Sequence, residues 1–296
     1  MESDGSGNEI TGTRADQSGN LQCKVIAITS GKGGVGKTTL SVNIALELAR
    51  RGKKVVVFDA DFGLANVEVM LGIRPQYNLL DLIHNNKSMT EIITQGPEGI
   101  GFISGGSGVS ELATLDNASI KLLISELVKL DQMYDVVIID TGAGITDSVM
   151  EFVMMSPEVV LVVTPEPTSI TDSYSLLKVL RRKNSFNPLY KTIHVVANRV
   201  ENEAEGAEIF HKIDTVSSKF LNTKLSFLGA VLQDKNASMA VIEQKPLVQA
   251  YPGTTATKGI CQLVNRLSDD TVEESKKKEG IARVFIDFFR SKKRIR

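Results

Sequence analysis

Cysteine is scarce in this sequence. Its two cysteines, Cys23 and Cys261, stand far apart and form no Cys-x-x-Cys, which excludes a disulfide framework and a four-thiolate zinc or iron–sulfur site within one chain. Long apolar runs are missing too: nowhere do 18 or so apolar residues follow one another, so nothing reads as a membrane-spanning helix. No charged-then-apolar leader opens the chain, and the expectation is a cytoplasmic protein. Neither charge is in large surplus. A formal net charge of −1 argues against a general polyanion binder, so nucleic acid is not expected as a partner. Any attraction to an anionic surface must come from a local patch.

What is present suits a packed α/β domain. The 296 residues are 42% hydrophobic, enough for a full core. Short β-branched or apolar runs at 24–30, 53–61, 99–104, 135–140, 159–164, 193–199 and 225–233 read as buried strands. Helical patterns follow the first strand and lie around 78–94, 116–130, 145–155, 170–183, 205–220 and 254–268. This alternation predicts a doubly wound, mostly parallel sheet with helices on both faces. Residues 1–21 are polar and rich in Gly, Ser and Asn, the composition of a flexible segment. Residues 22–268 form the domain, 269–280 read as a charged linker, and 281–296 as a separate amphipathic helix.

The stretch GKGGVGKTT, residues 31–39, follows the first strand and opens a helix. Gly31, Gly33, Gly34 and Gly36 allow positive φ and bring backbone N–H groups against phosphate oxygens. Val35 and Thr39 lie in the same cradle. The helix that follows aims its positive end there as well. Lys37 is placed for the β- and γ-phosphates, and the Thr38 hydroxyl for Mg²⁺. Two later strands end in carboxylates: Asp59 and Asp61 in DAD, two apart on an extended chain and so on one face, and Asp140 after Val136-Val137-Ile138-Ile139. Strand C-terminal ends converge on the ligand crevice in such sheets, which makes these carboxylates metal-side candidates.

The loop with its additional lysine, Lys32, followed by D-x-D and then D-x-x-x-G, resembles the deviant Walker A ATPases of the MinD/ParA group over residues 22–268. The resemblance implies ATP and Mg²⁺ as cofactors and an ATP-bound homodimer. It implies that Lys32 reaches the partner's phosphates and stabilises charge in its transition state. By the same resemblance Asp61 orients the attacking water, Asp59 and Asp140 support Mg²⁺, and the Asn198-Arg199 pair meets the adenine. Glu166 and Asp172 then lie on the dimer side.

The last segment places Ile281, Val284, Phe285, Phe288 and Ile295 on one helical stripe, widened by Phe289. Arg283, Arg290, Lys292, Lys293, Arg294 and Arg296 stand opposite or beyond, the pattern of a helix lying in an anionic membrane surface; a terminal helix packed on the domain is the alternative reading. Within the group, DADFGLANVEVMLGI at 59–73 resembles the flagellar, FlhG-type branch, which controls flagellar number and placement. Asp16, Gln17 and Leu21 resemble the motif by which that branch stimulates FlhF, a GTPase of the signal-recognition-particle type, although Gln22 stands where the motif has arginine. Flagellar C-ring (switch) proteins are further partners implied. Division-site control and DNA partition are the other functions the group offers.

Overall fold

The structure is a computed structural model, which describes residues 23–61, 66–106, 115–183, 191–268 and 280–293, without the side chains of 288 and 291–293. The flagellar-type motif Asp16, Gln17 and Leu21 therefore lies outside the described residues. So do most of the linker, Phe62–Ala65 of the DADFG stretch, and the side chains of Phe288, Lys292 and Lys293.

Eight strands make one sheet in the order β3-β4-β2-β5-β1-β6-β7-β8. They are β1 (Lys24–Ser30), β2 (Val55–Ala60), β3 (Thr94–Gln95), β4 (Gly101–Ser104), β5 (Val136–Ala143), β6 (Glu158–Val163), β7 (Thr192–Val200) and β8 (Ser226–Leu232). All neighbours run parallel except the short β3, which is antiparallel to β4. Every residue of β2 is buried, as is all of β1 but Lys24. Runs such as Val55-Val56-Val57-Phe58 need apolar cover on both faces, and the helices supply it.

Those helices are α1 (Lys37–Arg50), α2 (Asn66–Leu71), α3 (Asp81–His84), α4 (Met89–Ile92), α5 (Asn117–Met133) and α6 (Asp147–Met155), then α7 (Pro167–Arg182), α8 (Glu203–Leu221), α9 (Lys235–Ile242), α10 (Leu247–Ala250), α11 (Thr255–Ser268) and α12 (Ile281–Lys293). The helix expected across 78–94 is broken in two. Asn86 adopts φ 50°, and Ser88 with Glu91 forms a capping box that starts α4 afresh. Helices α2, α9 and α10 were not among the elements read from sequence.

The C-terminal segment does not stand apart from the domain. Ile281, Ala282, Val284, Phe285 and Phe289 of α12 are buried in one cluster with Leu123, Leu127 and Leu130 of α5, Phe152 of α6 and Phe58 of β2. The rings of Phe58, Phe152 and Phe285 meet pairwise at 5.8–5.9 Å between centroids, two of the three contacts edge-on. The described part of the expected stripe, Ile281, Val284, Phe285 and Phe289, faces protein in this structure. Amphipathicity specifies an apolar neighbour and not its chemistry. Among the described residues no helix is long and apolar enough to cross a membrane.

Candidate nucleotide site

Strands β1, β5 and β2 lie side by side at the centre of the sheet, and their C-terminal ends define one crevice. Asp59 and Asp140 are register partners on β2 and β5, and Ile28 of β1 is the partner of Asp140 on its other side. The loop leaves β1 after Ser30, whose Oγ donates to Lys32 O at 2.6 Å, and enters α1 at Lys37. Gly34 and Gly36 adopt φ of +74° and +94°, the left-handed region that favours glycine. Helix α1 starts without a side-chain cap, so its first amides remain those that an anion takes at a helix N-terminus.

Behind the loop the polar groups are buried and specifically paired. Asp140 is fully buried; Thr38 Oγ1 donates to its Oδ2 and Ser41 Oγ to its Oδ1, each at 2.7 Å. Burial pushes the Asp140 carboxyl up to about 6, against the hydrogen bonds of Ser41 and Thr38 and the charge of Lys37. Asp59 rises further, to about 8, through burial and then the proximity of Asp140. Its Oδ1 accepts the Asp61 N–H at 3.0 Å and its Oδ2 the Val67 N–H at 3.4 Å. Lys37 is buried as well, and loss of water lowers its pKa while Asp140 and Asp61 oppose the shift. Two buried carboxylates beside one desolvated ammonium are short of positive charge. A hard divalent cation suits that donor set, with the Thr38 hydroxyl and Asp140 and Asp59 oxygens at hand.

Asp61 lies just past the end of β2, and its charge acts on Asp59, Asp140 and Lys37 together. Its Oδ2 receives the Asn66 amide at 3.2 Å. A Cβ on Gly142 would stand 3.3 Å from Asp61 Oδ1, so the glycine makes room for the carboxylate at the end of β5. Asn198 and Arg199 sit where the β7–β8 register shifts, with Arg199 at φ 59°. The Asn198 Nδ2 donates to Val35 O at 2.7 Å, which makes this residue a brace of the loop.

Lys32 is half-buried and bound within its own chain. Its Nζ contacts Glu166, the residue that precedes α7, and Thr168 Oγ1 at 2.9 Å. A Cβ on Gly31 would collide with the Asp172 backbone, so α7 lies directly against the loop and Asp172 meets it through main chain. Ser30, Ser41, Asn66 and Thr168 went unread in the sequence. Ser41 carried a signal, being one turn beyond Lys37 on the buried side of α1.

A family model, that of ParA, described as NUBPL iron-transfer P-loop NTPase, matches residues 22–268. The antiactivator FleN of Pseudomonas aeruginosa is 39% identical over 245 residues, spanning 82% of this chain and 86% of that protein. The flagellum site-determining protein YlxH of Helicobacter pylori is 35% identical over 276 residues, 91% of this chain and 90% of its own length. The solved structure of the septum site-determining protein MinD complexed with Mg-ADP from Pyrococcus horikoshii superposes with a TM-score of 0.67 at 22% identity, covering 86% of this chain and 100% of that one. That similarity concerns the fold.

Proposed function

This chain belongs to the ParA/MinD family of P-loop NTPases, and from that premise we propose that it is a Mg²⁺-dependent ATPase, active as a dimer, that cycles on and off a membrane to regulate flagellar number or placement. The observation that carries the chemistry is the pair of buried carboxylates Asp140 and Asp59, with the half-buried Thr38 donating to Asp140, behind a glycine loop holding two lysines. The amides of Gly33, Gly34, Val35 and Gly36, with Lys37 and Thr39, take the phosphates. Thr38, Asp59 and Asp140 hold the metal side, and Asp61 orients the water. Asn198 Oδ1 and Arg199 face the base. Lys32 acts across the dimer, which requires it to exchange Glu166 and Thr168 of its own chain for the partner's phosphates. Glu166 and Asp172 lie on that side.

The flagellar role is supported by the FleN and YlxH relatives, which match most of this chain. Iron transfer, in the wording of the family description, is not supported. The sequence holds only Cys23 and Cys261, both free in the structure, with Cys23 buried, and burial drives the Cys23 thiol pKa strongly upward. Among the described residues no group of three or more His, Cys, Asp and Glu side chains is placed to hold a metal ion.

For membrane cycling, α12 has to leave its groove. Burying the side chains of Ile281, Val284, Phe285 and Phe289 is worth roughly 2 kcal/mol each whether the apolar surroundings are protein or lipid. The two environments thus compete on nearly equal terms. Attraction of each basic residue to an anionic leaflet adds about 1 kcal/mol, and two helices on one dimer act together. Arg290, on the exposed side, and Lys292 and Lys293 contribute to that attraction. Asp16, Gln17 and Leu21 act on the GTPase FlhF, and C-ring proteins are the further partners. The test is co-sedimentation of the full chain with phosphatidylglycerol vesicles under a non-hydrolysable ATP analogue and under ADP. Equal recovery in both states sinks membrane cycling. Failure to restore flagellar number in a strain lacking its own regulator sinks the biological role.

A further inference from the structure

Asp131, near the end of α5, is buried and takes no part in the nucleotide site. Its carboxylate gathers three donors from two distant parts of the chain. Ile281 N–H donates to Oδ1 at 2.7 Å, Ala282 N–H to Oδ2 at 3.2 Å, and the Cys23 thiol to Oδ1 at 2.8 Å. Ile281 and Ala282 open α12, and Cys23 immediately precedes β1. The first amides of a helix have no partner within it, and an acceptor with negative charge is the favoured cap. Here that acceptor belongs to another helix. A cap beside the helix in sequence would travel with it; this one, 150 residues away, is lost as soon as α12 moves. Gly280 completes the arrangement, since a Cβ there would collide with the Asp131 carboxylate.

We propose that Asp131 is the anchor that fixes the C-terminal helix on the domain and that ties it, through Cys23, to the point where the N-terminal segment enters the sheet. The apolar face of α12 supplies attraction without direction, because hydrophobic contact is non-directional. Two hydrogen bonds from the first amides of α12 to one carboxylate supply the register, and the third ties that carboxylate to Cys23. When α12 departs, Asp131 loses two of its three donors and stays behind under-satisfied, which makes docking close to all-or-none. The coupling runs both ways: a displacement at Cys23 loosens α12, and departure of α12 is felt at Cys23.

Hydrogen exchange of the full-length protein in the ADP state tests the anchor. In Asp131→Asn an amide nitrogen replaces one acceptor oxygen. Amides of residues 283–290 should exchange at least about tenfold faster, the loss expected of a charged hydrogen bond, while those of β1 and β5 keep their protection. Gly280→Ala should act in the same direction, and it decides the matter if Asp131→Asn loses protection throughout. Cys23→Val should give a smaller acceleration that Cys23→Ser reverses. Unchanged exchange in α12 of both Asp131→Asn and Gly280→Ala overturns the proposal, and an unchanged Cys23→Val overturns the tie to the N-terminal segment. The consequence for lipid rests on the membrane reading above. Faster exchange with nucleotide-independent binding to anionic vesicles supports both; faster exchange without vesicle binding sinks the membrane reading and leaves the anchor standing.

Discussion

Lys32 and Glu166 form an ion pair within a single chain, and Thr168 Oγ1 lies 2.9 Å from the same ammonium. The lysine holds the Glu166 carboxyl below the usual carboxylate range, first through the hydrogen bond and then through its charge. Both partners are partly open to solvent, where screening makes such a pair easy to exchange. A lysine held this way is stored rather than committed. Lys32→Ala should abolish ATP-dependent dimerisation while nucleotide binding persists. Analytical ultracentrifugation with a non-hydrolysable analogue checks this, and dimers in the variant would refute the role of Lys32 in trans.

Asp61 stands outside β2, held by Asn66, where it can turn toward a water without disturbing the sheet. Asp61→Ala should lower turnover by about 10²-fold or more, the usual contribution of a positioned base. The variant should accumulate as an ATP-bound dimer on vesicles. Loss of nucleotide binding would show that the side chain holds the site together instead.

Ser41 spends its hydroxyl on Asp140 Oδ1 and lies a full turn from Thr38. Supporting groups of this kind typically change metal affinity by 10–100-fold when removed. Ser41→Ala should therefore raise the Mg²⁺ concentration needed for half-maximal ATPase activity by about tenfold, with a smaller effect on the rate at saturating metal. An unchanged Mg²⁺ titration would reduce Ser41 to packing.

The raised pKa values of Asp59, about 8, and Asp140, about 6, have a definite sign. A carboxylate that binds its proton more tightly folded than unfolded stabilises the fold below the unfolded pKa, and this contribution is lost as pH rises through the folded one. In EDTA and without nucleotide, Tm should fall between pH 5 and pH 8. Asp59→Asn should flatten that slope, and Mg²⁺ with nucleotide should diminish it in the wild type. Thermal melts at the two pH values decide; an equal slope in Asp59→Asn removes Asp59 as its cause.

How much of this was legible in the sequence follows the range of each interaction. The glycine loop is local, so its spacing and its positive φ angles could be read directly. The convergence of Asp59 and Asp140 required β2 to lie beside β5, which the strand–helix alternation implied without naming the pair. The end of β2 was placed one residue too far, since the strand stops at Ala60 and Asp61 follows it. The break between α3 and α4 turns on one residue in left-handed conformation, Asn86. Asp131 was invisible: its partners lie 108 and 150 residues away, and nothing local distinguishes it from any acid near a helix end.

The phenylalanine cluster beneath α12 bears on how the protein can be dissected. Deleting residues 281–296 would do more than remove the proposed affinity for lipid. It uncovers Phe58, Phe152, Leu123, Leu127 and Leu130 together, a contiguous apolar face of the kind that makes a protein self-associate. A truncated chain that clumps, or is degraded in the cell, would imitate loss of targeting for an unrelated reason. Charge reversal at the exposed Arg290 is the cleaner subtraction, because it weakens attraction to an anionic surface and leaves the groove filled.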